Sequence, residues 1–382
     1  KRIHLMNIKC VFENKVIREL SRIFTVVFAA ILIGFIITLF ISEDAFGAFK
    51  ILLTGPFPKI SFADGALHLK GMSRTGSWLI DFTTLTLLGL SVCLAFRAQQ
   101  FSMGAEGQLF LGALVSACVA IYIDGPSFFV IPLALVAAAT VGFLWGLIPG
   151  YLKAYLNANE IVSTLMLNAI AVQLYRYVLV YYMNDPSAGY IASQTIPEAA
   201  RLSYILDGTR LTSMFYIMVA AVAFVILLVY RSKFGYQLNI IGINERFAKY
   251  GGIATKRIVM LTFAVSGVFA GLAGAHMALG VTSRLNLYLA PGIGFEGIVV
   301  ALLARNDPRL IPLCALLYSY LRVGSQIMER STDVPREIVL IIQALIILFV
   351  MVEHIKPFAI RLLNKVKSNK VKVIAQFENK GV

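Results

Sequence analysis

Two glutamates in a repeated motif are the residues of this chain that point most directly to chemistry. Gly104-Ala105-Glu106-Gly107 opens one long apolar run, and Gly294-Phe295-Glu296-Gly297 opens another. A carboxylate at the edge of a membrane segment is costly and usually has a specific role. Glu106 and Glu296 can contact polar groups of a substrate, carry protons, or cap the helices that follow. Capping explains both copies at once, because free N–H groups and the helix dipole favour an acid at a helix N-terminus.

The composition indicates what kind of fold must position these carboxylates. Of the 382 residues, 59% are hydrophobic and only 14% are charged, and the mean hydropathy is +0.80. A soluble domain carries roughly 25% charged residues. The apolar runs are too long for soluble domains and lack the period of two of membrane β-strands. The sequence therefore predicts an all-α, polytopic membrane protein.

Ten apolar segments are candidates for membrane spans. They cover roughly residues 23–42, 78–96, 101–123, 127–149, 161–183, 212–230, 258–280, 292–304, 309–328 and 336–353. The eighth is short and opens with Pro291-Gly292, which predicts a broken or partly re-entrant helix. The third, entered through Gly104 and Gly107, is a candidate for the same character.

Basic residues divide the chain into a membrane domain, 23–353, and two basic tails, 1–22 and 354–382. The net charge of +14 gathers in these tails and in a few loops, so it gives no reason to expect nucleic-acid binding. The positive-inside rule predicts that both tails and the basic loop 231–257 are cytoplasmic. The loop 184–211 is then predicted to lie outside, as is 43–77.

The order of the spans predicts an internal duplication. Spans 2–5 and 7–10 have opposite orientations in this topology, and each set carries its Gly-x-Glu-Gly motif at the start of its second span. They are therefore predicted to be inverted repeats related by an axis in the membrane plane. The duplication predicts that Glu106 lies near the cytoplasmic face and Glu296 near the outer face.

Other polar residues in the spans have two possible roles. Asn168 and Gln173 in span 5 can hydrogen-bond a neighbouring helix or face a polar pathway, and both interpretations stay open. Asp81 in span 2 is a further candidate for a pathway-facing position. His276 has no partner His, Cys or acid at helical spacing, so it is predicted to pack at a helix interface rather than bind a metal.

Several enzymatic devices are missing from the sequence. There is no G-x-x-x-x-G-K-[ST] phosphate loop and no Gly-Lys pair. The four cysteines share no metal-ligand spacing. We therefore expect a protein that is not an enzyme and binds neither a metal nor a cofactor itself. If ATP drives its work, a separate subunit must hydrolyse it.

The basic loop 231–257 contains the signals of a short helix. Gly235 can break span 6, Asn244 is a good helix cap, and Gly251-Gly252 can end the helix. A helix of about two turns on a loop can be held by a partner as a helix in a groove. The alternative is an amphipathic surface loop held by lipid headgroups.

Several motifs in order resemble one family. The stretch from Gly235 to Gly252, with 263–274 after it, resembles the coupling loop and following helix of ABC importer permeases for branched-chain amino acids, ribose-type sugars and nucleosides. Residues 96–108, 145–153 and 159–168 are similar to permeases of bacterial nucleoside importers that work with a basic-membrane-protein-type binding lipoprotein. The resemblance covers roughly residues 80–350.

The resemblance implies a permease subunit of an ATP-driven nucleoside importer in the bacterial cytoplasmic (inner) membrane. The implied partners are an ABC ATPase subunit that uses the ATP, a related second permease, and a substrate-binding lipoprotein. Permeases for sugars or branched-chain amino acids, and less closely an ion-coupled secondary transporter, are the alternatives. The residues implied to couple to the ATPase are Asn244, Glu245, Arg246, Phe247, Ala248, Lys249 and Tyr250.

Overall fold

The computed structural model describes residues 21–334, apart from 22, 24, 26, 41, 43, 64–65, 206–207 and 290, together with 340, 341, 344, 345 and 348. It divides into two compact units. The first combines Lys1–Phe46 with Thr332–Val382, and the second is Gly47–Ser331. Apart from isolated residues, the predicted tenth span and both basic tails lie outside the described residues.

The first unit contains the apolar helix α1, Val27–Leu39, which corresponds to the first predicted span. The Phe35 ring packs edge-on against that of Phe46, with centroids 5.1 Å apart. Ser42 Oγ donates a hydrogen bond to Asp333 Oδ1 over 2.8 Å.

The segment 43–77, predicted to be an outer loop, contains regular structure. Helix α2, Ala45–Thr54, precedes an antiparallel hairpin of β1, Lys59–Ala63, and β2, Ala66–Lys70, in which Lys59 is opposite Lys70. The hairpin is an exception to the all-α prediction. Hydropathy did not indicate α2 as a span because its 10 residues reach only about 15 Å, half the hydrocarbon thickness.

Within the residues that the structure describes, six helices are long and apolar enough to cross a membrane, so the chain is a multi-pass membrane protein. They are α3, Met72–Arg97; α4, Ala105–Tyr122; α5, Ser127–Leu156; α6, Glu160–Tyr181; α7, Met214–Arg231; and α10, Thr255–His276, which a π-helical turn extends to Thr282. Two short helices lie between α7 and α10, namely α8, Lys233–Ile243, and α9, Glu245–Tyr250.

Helices α11 and α12 differ from full apolar spans. Helix α11, Ile293–Leu303, has 11 residues, and α12, Ile311–Ser331, carries Arg322 and Arg330 in its second half. The segments predicted as spans 8 and 9 are therefore helical, but α11 is too short to cross a membrane alone. The predicted count of ten crossings is not confirmed.

Helix α10 packs backbone to backbone against its neighbours. A Cβ on Gly142 of α5 would lie 2.1 Å from the Gly267 carbonyl oxygen, and one on Gly271 would lie 2.3 Å from the Ala138 oxygen. On α4, Leu109 approaches Gly274 in the same way. Small residues in 266–274 therefore let the backbones of α10 and its neighbours approach closely.

His276 joins three parts of this core. Its ring nitrogens lie 3.0 Å from Thr84 Oγ1 on α3 and 3.0 Å from Thr212 Oγ1 before α7, and the residue is fully buried. The predicted role as a helix-interface residue is confirmed.

Candidate functional site

One end of the second unit gives a reference for depth. Helices α3, α5 and α7 end there, α6 and α10 begin there, and α9 lies beside them, because α9 residues share a cavity with the end of α5 and the start of α10. We call this the α9 end and the opposite one the far end.

Helix α4 begins inside the helix bundle and not at the α9 end. Asn168 clamps this start, since its Nδ2 donates to Met103 O over 2.5 Å and its Oδ1 accepts from Gly107 N over 2.9 Å. Asn168 is eight residues along α6, about 12 Å from the α9 end. A Cβ on Gly107 would lie 2.8 Å from Asn168 Oδ1, so glycine is needed for this approach. Of the two roles open for Asn168, the structure has the hydrogen bond to another helix.

Helix α11 also begins inside the bundle. Its last turn leads to Asp307, whose Oδ1 accepts from the Tyr230 hydroxyl at the end of α7. Helix α11 therefore ends at the α9 end, and its 11 residues place its start about 16 Å away. Gly292, in the left-handed region with φ of 80°, precedes it.

The two Gly-x-Glu-Gly motifs meet at these helix starts. Glu106 Oε1 accepts a hydrogen bond from Gly292 N over 2.9 Å. A Cβ on Gly294 would lie within 2.5–2.6 Å of the Glu106 backbone and Cβ. The prediction that the motifs lie near opposite faces is wrong. A non-helical segment leads into the bundle before each helix, and both helices therefore start in the interior.

Glu296 has different partners from Glu106. Arg322 Nε lies 3.2 Å from Glu296 Oε1 and 2.9 Å from its Oε2. Arg322 Nη1 lies 2.5 Å from Asp81 Oδ2. These three side chains, from α11, α12 and α3, are each about one fifth exposed. Together they carry a formal charge of −1, in a region where separating opposite charges is expensive.

Sequence reasoning did not single out Arg322. Its signal was present, because an arginine inside the apolar segment 309–328 is rare and marks a paired or functional position. Asp81, which was considered as a pathway residue, is the partner that the structure gives it.

The meeting point of the helix starts retains unused binding capacity. Glu106 Oε2 has no hydrogen-bond partner among the described residues. Phe295, between the two residues Gly294 and Glu296, is 43% exposed. A free carboxylate oxygen accepts hydrogen bonds from hydroxyl or N–H groups, and an exposed aromatic ring can stack on a planar group. Oε2 is buried in this structure, so a solute with both features reaches it only when the helix starts move apart.

Gln173 lies apart from this cluster. It is on the exposed side of α6 with Ile170 and Tyr177, and it forms no hydrogen bond within the described ranges. Tyr175, on the buried side, donates its hydroxyl proton to Asn286 O over 2.7 Å. The structure therefore brings Glu106, Glu296 and Asn168 together, and leaves Gln173 on an outer face.

The predicted short helix between α8 and α10 is present as α9. Asn244 Oδ1 accepts from Phe247 N over 3.1 Å, and Gly252 follows the helix with φ of 76°. Ala248 is buried in an apolar cluster with residues of α8 and α10. Phe247 is 65% and Tyr250 92% exposed. One alanine anchors α9 while its aromatic side chains are free to meet a partner.

The coupling residues predicted on α9 lie on distinct sides of it. At about 100° per residue, Glu245 and Lys249 share one side, and both line the cavity next to α5. Arg246 is exposed and lies on the side of Tyr250. The break before α8 comes at Ser232, whose Oγ caps α8 by accepting from Gly235 N over 3.0 Å.

Broken helices that meet at a polar centre, inside a bundle of apolar helices, are typical of membrane proteins that move solutes. The comparisons with known proteins identify the family. The chain belongs to the family described as branched-chain amino acid transport system / permease component, whose model matches residues 74–351. It is therefore a transport subunit and not an enzyme.

Named relatives are permeases of ABC transporters. The chain is 35% identical to the guanosine ABC transporter permease protein NupP of Bacillus subtilis, over 77% of this chain and 85% of that protein. It is 33% identical to the glucose ABC transporter permease protein TsgB13 of Haloferax volcanii, over 72% and 74%. It is 29% identical to the nucleoside ABC transporter permease protein NupB of Lactococcus lactis, over 81% and 88%.

Proposed function

We propose that this chain is the permease subunit of an ATP-driven ABC importer for nucleosides. Two of the relatives are named for guanosine or nucleoside transport. The observation that carries the proposal is the meeting of Glu106 with the start of α11, beside the exposed ring of Phe295. A nucleoside has ribose hydroxyls for a carboxylate oxygen and a flat base for an aromatic ring.

In this proposal Glu106 and Glu296 line the substrate pathway, and Asn168 holds the α4 start in position. Gln173 faces the pathway from the outer side of α6. Passage needs contacts that are weak and multiple, since a tightly bound solute does not leave. Glu106 is held by a single backbone N–H, while both carboxylate oxygens of Glu296 lie within 3.2 Å of Arg322 Nε.

Energy comes from a separate ABC ATPase subunit that binds and uses ATP, while this chain binds no cofactor. Residues 244–250 form the contact with the ATPase subunit. Phe247 and Tyr250 serve as its anchors, because both aromatic side chains of α9 are exposed. ATP-driven closure of two ATPase domains displaces α9, and its apolar attachment to α8 and α10 transmits the movement.

The complete importer also needs a related second permease and a substrate-binding lipoprotein at the outer face. In the bacterial cytoplasmic (inner) membrane, the basic tails and loop 231–257 support a cytoplasmic position for both termini and the α9 end. Helices α4 and α11 start with the same motif and run to opposite ends, which supports inverted repeats in spans 2–5 and 7–10.

Substrate-stimulated ATP hydrolysis tests the substrate class. Proteoliposomes holding the complete complex receive guanosine, adenosine, ribose, glucose or leucine with the lipoprotein. We expect nucleosides to stimulate hydrolysis and the others to have no effect. Stimulation by ribose, glucose or leucine, with none by any nucleoside, would reject the proposal.

Charge reversal tests the coupling contact. The variant E245K/R246E is expected to lose the co-purifying ATPase subunit while inserting normally into the membrane. The matched control E198K/R210E reverses two exposed charges at the far end and should keep the ATPase subunit. Equal retention by both variants would reject α9 as the contact.

A sugar permease is the second candidate, because the 33% identical relative is named for glucose. Stimulation by glucose in the same assay favours it. An ion-coupled secondary transporter is a third possibility, and uptake without ATP by vesicles containing this chain alone would support it.

A further inference from the structure

A basic cavity adjoins α9 on the side away from its exposed aromatic residues. It has a volume of about 660 Å³ and lies between the α5–α6 turn, α9 and the start of α10. Its charged lining residues are Lys153, Lys249, Lys256, Arg257 and Glu245. Four cations and one carboxylate give the cavity a clear excess of positive charge.

Most of this charge lacks a protein partner. Lys153 Nζ is paired with Glu160 Oε2 at 2.7 Å. Lys256 Nζ lies over the Tyr155 ring, 5.5 Å from its centroid. Within the described part of the chain, Lys249, Lys256 and Arg257 form no ion pair. The cavity is therefore suited to an anion that comes from outside the chain.

The depth of the cavity corresponds to the headgroup layer of a bilayer. It lies where three of the apolar helices end or begin, namely α5, α6 and α10. Tyr151 and Tyr155 stack beside it with centroids 5.0 Å apart, and both are about half exposed. Tyrosines are enriched at this depth, and basic pockets between membrane helices bind anionic lipid headgroups.

Gln100 supplies a second feature of the cavity. It lines the cavity and is only 6% exposed. Its Nε2 donates to Ala98 O over 3.2 Å, while its Oε1 has no hydrogen-bond partner among the described residues. A buried acceptor without a partner is costly, so a ligand that brings a hydroxyl donor as well as a negative charge fits best.

The geometry of α9 favours a lipid over a protein partner here. Glu245 and Lys249 line the cavity, whereas Phe247 and Tyr250 are exposed on other sides of α9. A protein that docks on the aromatic side chains leaves the cavity open to the membrane surface.

We propose that this cavity binds the headgroup of an anionic phospholipid such as phosphatidylglycerol. Lys256 and Arg257 hold the phosphate, and a hydroxyl of the headgroup donates to Gln100 Oε1. The lipid connects α9 to the α5–α6 turn. This site does not depend on which solute the permease carries.

Native mass spectrometry of the full chain tests the site by titration with phosphatidylglycerol or phosphatidylcholine. We expect K256Q/R257Q to bind phosphatidylglycerol about 30-fold more weakly, since each basic residue near an anionic lipid contributes about fivefold. The control K233Q removes an exposed cation outside this cavity and should retain wild-type affinity.

A second variant tests the hydroxyl contact and does not depend on the folding of the first. Q100L should lower the affinity for phosphatidylglycerol about fivefold and leave that for phosphatidylmethanol, a phosphodiester of the same charge without a hydroxyl, unchanged.

Four results would overturn the proposal. The first is that both K256Q/R257Q and Q100L bind phosphatidylglycerol with wild-type affinity, and the second is that the wild-type chain binds phosphatidylcholine as tightly as phosphatidylglycerol. The third is that free glycerol phosphate competes at the lipid's own concentration, and the fourth is that the ATPase subunit displaces the lipid completely. The third indicates a soluble anion site and the fourth a protein-docking face. None of them bears on the substrate assay.

Discussion

The two Gly-x-Glu-Gly motifs have the same sequence pattern but different electrostatic surroundings. Glu106 accepts a hydrogen bond from the backbone N–H of Gly292. Glu296 faces the guanidinium group of Arg322, which also pairs with Asp81. The first carboxylate acts as an external cap on another helix, and the second belongs to an ion triad. The motif therefore fixes where a broken helix starts, whereas the neighbouring helices decide what its carboxylate does.

The triad should be the more sensitive of the two surroundings. Arg322→Gln leaves Asp81 and Glu296 without their shared cation, and we expect a loss of about 3–5 kcal/mol. Thermal unfolding in detergent measures the change, with Arg330→Gln, an exposed cation on the same helix, as control. Combining Arg322→Gln with Asp81→Asn should recover part of the loss. Equal unfolding midpoints for the R322Q and R330Q variants would contradict the ion triad.

The contact between the motifs should be next in sensitivity. Gly294→Ala puts a Cβ against the Glu106 backbone, and we expect a loss of about 1–3 kcal/mol. Gly251→Ala is the control, because the nearest atom to its added Cβ would be 3.5 Å away. A Gly294→Ala variant as stable as Gly251→Ala would contradict the close approach of the two helix starts.

The clamp on the α4 start gives an effect of similar size. Asn168→Ala leaves the Gly107 N–H and the Met103 carbonyl without their partner, so we expect a loss of about 1–3 kcal/mol. Gln173→Ala, on the exposed side of the same helix, should change stability by less than about 0.5 kcal/mol. Similar losses for both would remove the distinction between the clamp and the outer face of α6.

The smallest effect separates the charge of Glu106 from its hydrogen bond. Glu106→Gln keeps an oxygen that can accept from Gly292 N, so we expect a stability change below about 1 kcal/mol. Glu106→Ala removes the cap and should cost about 0.5–2 kcal/mol. A loss for Gln as large as that for Ala would show that the negative charge, and not the hydrogen bond alone, stabilises the start of α11.

Hydropathy predicted most helices of the second unit because long apolar runs have few alternatives to a membrane helix. Gly104 and Gly292 also indicated where α4 and α11 break. The contact between Glu106 and Gly292 could not be predicted from the sequence, because 186 residues separate them and a motif does not indicate which residues lie near it in space. Arg322 was visible as an isolated charge, but its pairing with Asp81 depends on three helices packing side by side.

The glycine contacts of α10 have a mechanical consequence. Where the backbones of Gly142 and Gly267 touch, no layer of side chains can deform between α5 and α10. These two helices should therefore move as one rigid body. Any rocking motion is then expected where interlocking side chains separate the helices. The rigid pair of α5 and α10 meets the broken helix α4 along the glycine contacts at Gly112 and Gly274.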